Sequence, residues 1–406
     1  MISIQADNNK KVVIVGAGPV GLLLSLLLAK KKIPSVLLEK SALDYQESRA
    51  IGIMPPSMKT LKEVGLIDDF LEMGIKVSSV NLYEAGAFVG NLTFNDLQQN
   101  YPFILSIPQS ASMEILRRHA DRSNFIKIYE EVEYIEHCQV GDGVLVKGYS
   151  EKNKCNLKFR ASKIIACDGV RSKARANAKI SFPFRHYKVA FCMADFVDTT
   201  TMGGEACLYF GPDGSVESFP LPLGRRRWIV QVNHDHSNDH DTQPADSVID
   251  LVRKRIGMNL NGSKVVFQSC FSPAQALAKR FFDGDLILCG DAAHVMPPIG
   301  GQGMNTGFAD AVQLAKVMER DFKGGWPGGK LSLRTSYERC RKKSFRHALR
   351  IVNLGMWFGT RKGVVFSFLR LAILKLILRN EPLNSSVVRA FSMASIPRSN
   401  LRPFIS

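Results

Sequence analysis

The chain has 406 residues, 45% hydrophobic and 22% charged, with 54 Lys and Arg against 37 Asp and Glu for a formal net charge of +17. This size and balance exclude a disordered chain and suffice for a large core in one big or two interleaved domains. Eight cysteines lie scattered without a CxxC or a Cys/His cluster at metal-ligand spacing, so no metal site and no disulfide framework is expected, only reduced thiols in a cytoplasmic protein.

The first element imitates a targeting segment: Lys10 and Lys11 precede an apolar run from Val12 to Ala29. Glycines interrupt the run at fixed offsets, and Lys30, Lys31 and Lys32 follow without a small-residue cleavage site, which argues against a signal peptide or a membrane span. The pattern predicts a buried strand from Val12 to Val15, a tight turn, and a helix from about Val20 to Lys30. Gly16-Ala17-Gly18-Pro19-Val20-Gly21 is then GxGxxG between a strand and a helix. Gly16 allows the turn, Gly18 lets the backbone approach a pyrophosphate, and Gly21 lets the helix pack closely, with Pro19 and Val20 opening a helix whose N-terminus faces the anion. A second strand, Ser35 to Leu38, ends at Glu39 and Lys40, where a carboxylate accepts hydrogen bonds from both ribose hydroxyls and disfavours a 2′-phosphate. A dinucleotide site follows; whether it holds FAD or NAD(P) does not.

Two later segments bear on that choice. Ile164 to Ala166 is a short apolar strand running through Cys167 into Asp168-Gly169 and a basic helix start at Arg171 to Arg175. Leu286 to Cys289 is another, ending in Gly290-Asp291 and followed by a Pro- and Gly-rich turn, Pro297-Pro298-Ile299-Gly300-Gly301-Gln302-Gly303-Met304-Asn305, that opens a helix. Asp291 at a strand end suits ribityl hydroxyls. The turn carries almost no bulk at its glycines and suits a flat ring, with the helix start near Gln302 aimed at the ring edge where reduction places negative charge.

On these segments the sequence closely resembles the single-component flavoprotein aromatic hydroxylases, which include p-hydroxybenzoate hydroxylase, the ubiquinone-pathway hydroxylases and the tetracycline-inactivating monooxygenases. The resemblance covers most of the chain. It implies that Gly16, Gly18 and Gly21 bind the ADP half of FAD, that Asp168 and Gly169 lie near the pyrophosphate and also serve NAD(P)H binding, and that Gly290 and Asp291 hold the ribityl chain. Pro298, Gly301, Gly303, Met304 and Asn305 belong to the turn against the flavin. Ser48-Arg49-Ala50-Ile51-Gly52 looks like the family's arginine segment, with Arg49 on FAD phosphate, and Pro108-Gln109-Ser110 looks like its glutamine segment, with Gln109 beside the flavin. Implied too are NADPH or NADH as reductant, O2 and a small aromatic, polyketide-like or quinone-like substrate, and hydroxylation through a flavin hydroperoxide. No residue is assigned as catalytic: the cofactor carries the hard step, and His294 reads better as a structural histidine than as a base.

Between the flavin segments, Val189 to His234 alternates strand-like runs with turns and predicts an antiparallel sheet. Phe219, Leu221, Tyr209 and Trp228 are candidate pocket residues, although core or sheet surface is the preferred reading. Arg225, Arg226 and Arg227 read as a solvated hairpin turn or, alternatively, as an attractor for an anionic substrate. The expected fold class is α/β: a Rossmann-like FAD-binding domain (1–75, 106–182 and 276–330), an inserted antiparallel β-sheet substrate domain (76–105 and 183–275) and a basic C-terminal helical region (331–406). No room is expected for the additional thioredoxin-like domain of phenol hydroxylase relatives.

The last 66 residues hold thirteen Lys and Arg against Glu381 alone. Within them Gly363 to Arg379 is a strongly apolar helix candidate interrupted by cations. It suggests peripheral attachment to an anionic membrane, or a helical layer packed on the FAD domain with the cations on its outer rim. No nucleic-acid motif accompanies the charge. Other functions within the superfamily stay open: a reductase or epoxidase, or a halogenase, although the WxWxIP signature is missing because Trp228, Trp326 and Trp357 stand alone. So does a non-catalytic flavin-binding subunit at a membrane. The substrate and the oligomeric state are not legible.

Overall fold

The computed structural model describes residues 2–4, 11–42, 50–97, 99–233, 244–323 and 329–396. The fold is α/β, as expected. Val12–Val15 forms the centre of a six-stranded sheet because four consecutive β-branched residues are buried on both faces, the signature of a parallel strand covered by helices. It pairs in parallel with Ser35–Leu38 on one side and Lys163–Ala166 on the other; Ile126–Tyr129 and Leu286–Leu288 extend the parallel run, and Phe282–Asp283 closes one edge antiparallel. The register aligns Val15 with Ala166, and Ala166 with Leu288. Three strands more than a hundred residues apart therefore end side by side, and the segments that follow them share one edge of the sheet, the place where open α/β sheets bind ligands.

A seven-stranded sheet lies beside this unit, in the order Val265–Phe271, Ala190–Val197, Arg225–Val232, Val216–Leu221, Ala206–Phe210, Ser79–Glu84 and Ala87–Thr93. It is antiparallel except where Ala206–Phe210 pairs in parallel with Ser79–Glu84. Alternation gives it two buried faces. The outer face, with Ala194, Val216, Trp228 and Val230, packs with Val248 and Val252 of the helix Pro244–Ile256. Part of the inner face, with Leu82, Leu208 and Phe219, packs with Leu374 and Val388 of the C-terminal helices Val364–Arg379 and Glu381–Phe391. Another part, with Phe191 and Ile229, packs on Met296 and on Phe345 and Val352 of the helix Gly329–Thr360.

Three sequence expectations are corrected here. Arg225, Arg226 and Arg227 do not form a turn; they start a strand, and Arg226 and Arg227 are fully buried. Arg226 is held by Asp198, the Ser218 hydroxyl and backbone carbonyls, and Arg227 makes a two-pronged ion pair with Asp195 at 2.6 and 2.8 Å. Their charge is spent inside the sheet. Cys192 and Cys270, expected as free thiols, form a disulfide, because antiparallel pairing sets them directly opposite with Cα atoms 4.1 Å apart. Finally, the helix Val364–Arg379 is inverted relative to a packed layer with its cations on the rim. Its buried residues are Ser367, Arg370 and Leu374, whereas Val365 is 85% and Phe368 70% exposed. Glu84 explains the inversion: its carboxylate takes Arg370 and the Ser367 hydroxyl, and Arg370 also donates to the carbonyls of Phe358, Arg361 and Gly211. No helix among the described residues is long and apolar enough to cross a membrane.

Candidate active site

The glycine turn is built by backbone crowding. Gly16 has φ 98°, in the left-handed region, and a Cβ there would collide with the backbone of Cys167 and Asp168. A Cβ on Gly21 would strike the Gly16 carbonyl, which is how closely the helix Pro19–Lys30 approaches the turn. Gly18 differs: nothing lies within 4 Å of where its Cβ would be, so it borders open space in front of the helix N-terminus. Glu39 reaches across this mouth, accepting from the Ala17 amide at 2.8 Å and the Ser41 amide at 3.2 Å, and Lys40 beside it is exposed. Val20 turns inward onto Gly290 and Gly307, so it joins the helix start to the Gly-Asp segment by packing.

The Asp-Gly segment comes next along the same edge. One Asp168 carboxylate oxygen accepts from the Ala174 amide at 3.1 Å; the other is buried and has no partner among the described residues. Burial pushes this carboxyl up, partly offset by the Ser172 hydroxyl and nearby amides. Gly169, with φ 77°, has open space where a Cβ would be. Arg175, not singled out from sequence, ties the Asp-Gly and Gly-Asp segments together. It donates to the Ala292 carbonyl at 2.9 Å and the Val170 carbonyl at 2.8 Å and stacks over Phe182. Its place at the basic start of the helix Lys173–Asn177 was the available signal.

Beneath Gly290 lies a buried ionic cluster. Asp310 accepts from the Gly290 amide at 3.1 Å and from Arg341, and it bonds His294 at 2.6 Å. Burial alone would raise the Asp310 carboxyl, but His294 and Arg341 pull it down to about 2. His294 is therefore a structural residue bracing the Gly-Asp turn, in agreement with the sequence reading. Asp291 is exposed, yet protein surrounds it deeply enough that loss of water raises its carboxyl, with His294 opposing and Asp310 adding to the shift.

The glycine-rich turn completes the edge. Gly300 and Gly301 have φ 71° and 63°, and the helix Gln302–Lys323 starts immediately after them. Pro298 is exposed, and Gly303 and Met304 are half-buried. Asn305 acts as a clamp: its amide group donates to the carbonyls of Gly52 and Gly301 and accepts from the Met54 amide at 2.9 Å. Gln109, at the start of the helix Gln109–Asp121, accepts from the Ala50 amide at 3.5 Å. Arg49 lies outside the described residues. The structure thus brings Gly16, Gly18, Glu39, Asp168, Gly169, Gly290, Asp291, Gly301 and Gly303 to one edge of the parallel sheet. Val20 and Asn305 serve it through packing and clamping.

The inner face of the large sheet meets the Gly-Asp segment's continuation at Met296. Met296, two residues before Pro298, packs on Phe191 and Ile229 of that face. Of the candidate pocket residues, Phe219 lies on the inner face, whereas Trp228 is buried in the outer-face core and Tyr209 packs there too, stacked on Tyr83 with centroids 4.5 Å apart. Glu217, which no motif marks, also lies on the inner face between Leu208 and Ile229.

The groups present fit a dinucleotide. A turn free of side chains opens onto a helix N-terminus, a carboxylate stands at the end of the second strand, and one buried Asp168 oxygen lacks a donor among the described residues, as a ligand hydroxyl or amide would supply. A family model described as FAD binding domain matches residues 9–351. A rifampicin monooxygenase of Streptomyces venezuelae is 28% identical over 325 residues, 79% of this chain and 66% of that protein. An aromatic compound monooxygenase of Bacillus subtilis, itself uncharacterised, is 27% identical over 316 residues, 78% of this chain and 62% of that one. The chain thus spans less than two thirds of the length of these relatives. Among solved structures, p-nitrophenol 4-monooxygenase from Pseudomonas putida superposes with a TM-score of 0.86 at 22% identity, covering 98% of this chain and all of that one. The anhydrotetracycline hydroxylase of Streptomyces rimosus gives 0.78 at 24% identity, covering 95% and 76%.

Proposed function

Because the chain belongs to the FAD-binding-domain family of single-component flavoprotein hydroxylases, we propose that it is an NAD(P)H- and O2-dependent monooxygenase that hydroxylates an aromatic, polyketide-like or quinone-like small molecule. The observation that carries this reading is a side-chain-free dinucleotide cradle along one edge, joined to the large sheet by Met296, which lies just before the glycine turn and shares an apolar cluster with Phe191 and Ile229 of that sheet. Bound FAD supplies the redox chemistry, in which NAD(P)H, a proton and O2 yield one oxygen atom in the product, NAD(P)+ and water.

The residues of the chain do the rest. Gly16, Gly18 and the helix N-terminus receive the pyrophosphate, Glu39 the adenosine ribose and Asp291 the ribityl hydroxyls. Gly300 to Gly303 leave room for the ring, and the Gln302–Lys323 amides stabilise negative charge on it. Asp310, His294 and Arg341 hold the Gly290 turn in place. The apolar face of the large sheet keeps water from the reacting centre, so that reduced oxygen is not lost as hydrogen peroxide. We assign residues 76–105 and 183–275 to the substrate side of this arrangement.

The test uses purified, FAD-loaded protein with a panel of phenols and polyketides, following NAD(P)H oxidation, oxygen uptake, peroxide and product mass together. Gain of one oxygen atom coupled to NAD(P)H loss is expected. Full FAD loading with no compound that gains oxygen or speeds NAD(P)H oxidation would sink the reading in favour of a reductase or a binding role.

The inverted helix Val364–Arg379 supports a finer statement about location. Its outward stripe of Val365, Phe368, Leu369 and Leu376 is flanked by Arg361, Lys362, Lys375 and Arg379, and this combination suits the headgroup layer of an anionic bilayer. A second copy is a poorer occupant, since each copy brings a net charge of +17. Co-sedimentation with vesicles rich in phosphatidylserine, but weakly with phosphatidylcholine alone, is expected, and Val365→Glu with Phe368→Glu should weaken binding about tenfold or more. Equal sedimentation of both proteins, or dimer formation abolished by the same changes, rules the bilayer out.

A further inference from the structure

The inner face of the large sheet carries a carboxyl group, that of Glu217, outside the nucleotide cradle and its supporting ion pairs. Glu217 lies in the strand Val216–Leu221, directly across from Leu208 on one neighbour and Ile229 on the other. Its flanking residue Val216 is in the outer-face core, and Phe219, two positions on, packs with the inner cluster, so alternation fixes Glu217 on the inner face. Leu208 belongs to the cluster under the C-terminal helices, and Ile229 to the cluster that contains Met296 of the flavin-side segment. Glu217 thus stands where the two apolar patches meet, one of which takes in Met296 just before the glycine turn.

Two properties separate it from the other acids of this sheet. Glu84 and Asp195 are buried, and each holds an arginine: Arg370 for the first and Arg227 for the second. Glu217 has no hydrogen bond or ion pair with any described residue. Arg227, two positions from Ile229 on the neighbouring strand, is already occupied by Asp195. Yet Glu217 keeps some accessible surface, as do Phe219 and Ile229 beside it. For residues in the middle of a face covered by helices, that accessibility means a cleft. Protein nonetheless surrounds the carboxyl, and burial alone pushes it up to about 7.

A buried polar group without a partner is destabilising unless a ligand completes it. The side chain can accept a hydrogen bond when ionised, and its cross-strand neighbours Leu208 and Ile229 are apolar, so it would single out one hydroxyl on a largely apolar molecule. We propose that Glu217 contacts the substrate, reading a phenolic or enolic hydroxyl and taking its proton as the ring is oxygenated. The step is a proton transfer alone: the substrate O–H bond breaks, a carboxyl O–H bond forms on Glu217, and the electron pair stays on the substrate oxygen. The resulting oxyanion pushes electron density into the ring and activates its carbons toward an electrophilic oxygen. A carboxyl that titrates near neutral pH is matched to such a base. This assignment rests on the hydroxylase reading for its consequence, but its binding half stands apart from turnover.

The experiment compares FAD-loaded wild type, Glu217→Gln and Glu217→Leu with paired probes: 4-nitrophenol and 1-naphthol, each against its methyl ether. Binding is read from the perturbation of the flavin absorbance. Wild type should prefer each phenol over its ether, Glu217→Gln should reduce the preference at least tenfold, and Glu217→Leu should abolish it. With any substrate that turns over, Glu217→Gln should lower kcat by about a hundredfold and raise KM by about as much as phenol binding weakens. Absence of a phenol preference in the wild type, or its survival in Glu217→Leu, overturns the proposal even if oxygenation is observed. Conversely, a preference that depends on Glu217 without any oxygenation upholds the contact and removes the hydroxylase reading. Thermal unfolding and FAD content confirm that the variants are folded.

Discussion

The nucleotide edge and the large sheet solve the same problem, holding polar groups inside protein, in opposite ways. Along the edge the ligand-facing surface is mostly backbone. Gly16, Gly18, Gly169, Gly300 and Gly301 remove side chains so that amides and helix ends face the cleft, and the charged groups that support them, Asp310 with His294 and Arg341, lie underneath. In the sheet the polar groups are side chains standing in the core itself: Arg226 on Asp198, Arg227 on Asp195 and Arg370 on Glu84, whereas Glu217 has no partner among the described residues. A backbone site tolerates one ligand geometry and little substitution at its glycines. A side-chain site is freely rewritten, which is where relatives that share the edge are free to differ in substrate.

If that contrast holds, the largest effect should come from adding a single methyl group to the edge. Gly16→Ala places a Cβ against the Cys167 backbone at a left-handed φ, at a cost of roughly 3–5 kcal/mol from strain and overlap together. FAD content after purification should fall to a small fraction of wild type; normal loading would show that the crowding is relieved elsewhere. Arg370→Ala should act on stability and leave the cradle alone. It abandons the Glu84 carboxylate inside the sheet, a loss of about 3–5 kcal/mol, visible as a lower denaturation midpoint with an unchanged flavin spectrum once FAD is bound. A variant as stable as wild type would mean that water reaches Glu84 and the pair is not a core element.

The smallest effect has the opposite sign. Glu217 has a folded-state value near 7, above that of an exposed carboxyl, so its ionisation opposes folding: no penalty exists at pH 4, it grows as pH rises from about 4.5, and it is complete above about 7. Because the side chain keeps some contact with solvent, the penalty is discounted to about 1–2 kcal/mol. Glu217→Gln should therefore unfold at a higher temperature than wild type at pH 8, with the gap closing toward pH 4.5. A gap independent of pH would show that packing, not charge, separates the two.

The same contrast explains what the sequence discloses. The cradle is legible because each of its positions is dictated by local backbone geometry that only glycine satisfies, and the strand–turn–helix order around Gly16 to Gly21 follows from nearby residues. The ion pairs are not legible, since their partners lie far apart in the chain: Asp195 is 32 residues from Arg227, and Glu84 is 286 from Arg370. Read locally, three consecutive arginines suggest a solvated turn; only strand pairing reveals the acids opposite them. The Cys192–Cys270 bridge, 78 residues apart, was hidden for the same reason. The helix Val364–Arg379 is apolar nearly all round, so periodicity could not tell which side faces inward, and Glu84, which decides it, is out of local view. Glu217 sits in no motif, and its interest arises only from what surrounds it.

The reach between Glu84 and Arg370 also sets an order of events during synthesis. At about 5–20 residues per second, the arginine follows the glutamate out of the ribosome after roughly 15–60 s. Through that interval the hairpin Ser79–Thr93 lacks first its sheet partner Ala206–Phe210 and then the cation that neutralises Glu84 at the end of its first strand. The N-terminal parallel strands can begin to associate long before, but the hairpin must wait as an exposed, incomplete edge. This makes it the segment on which a nascent-chain chaperone would have most to protect.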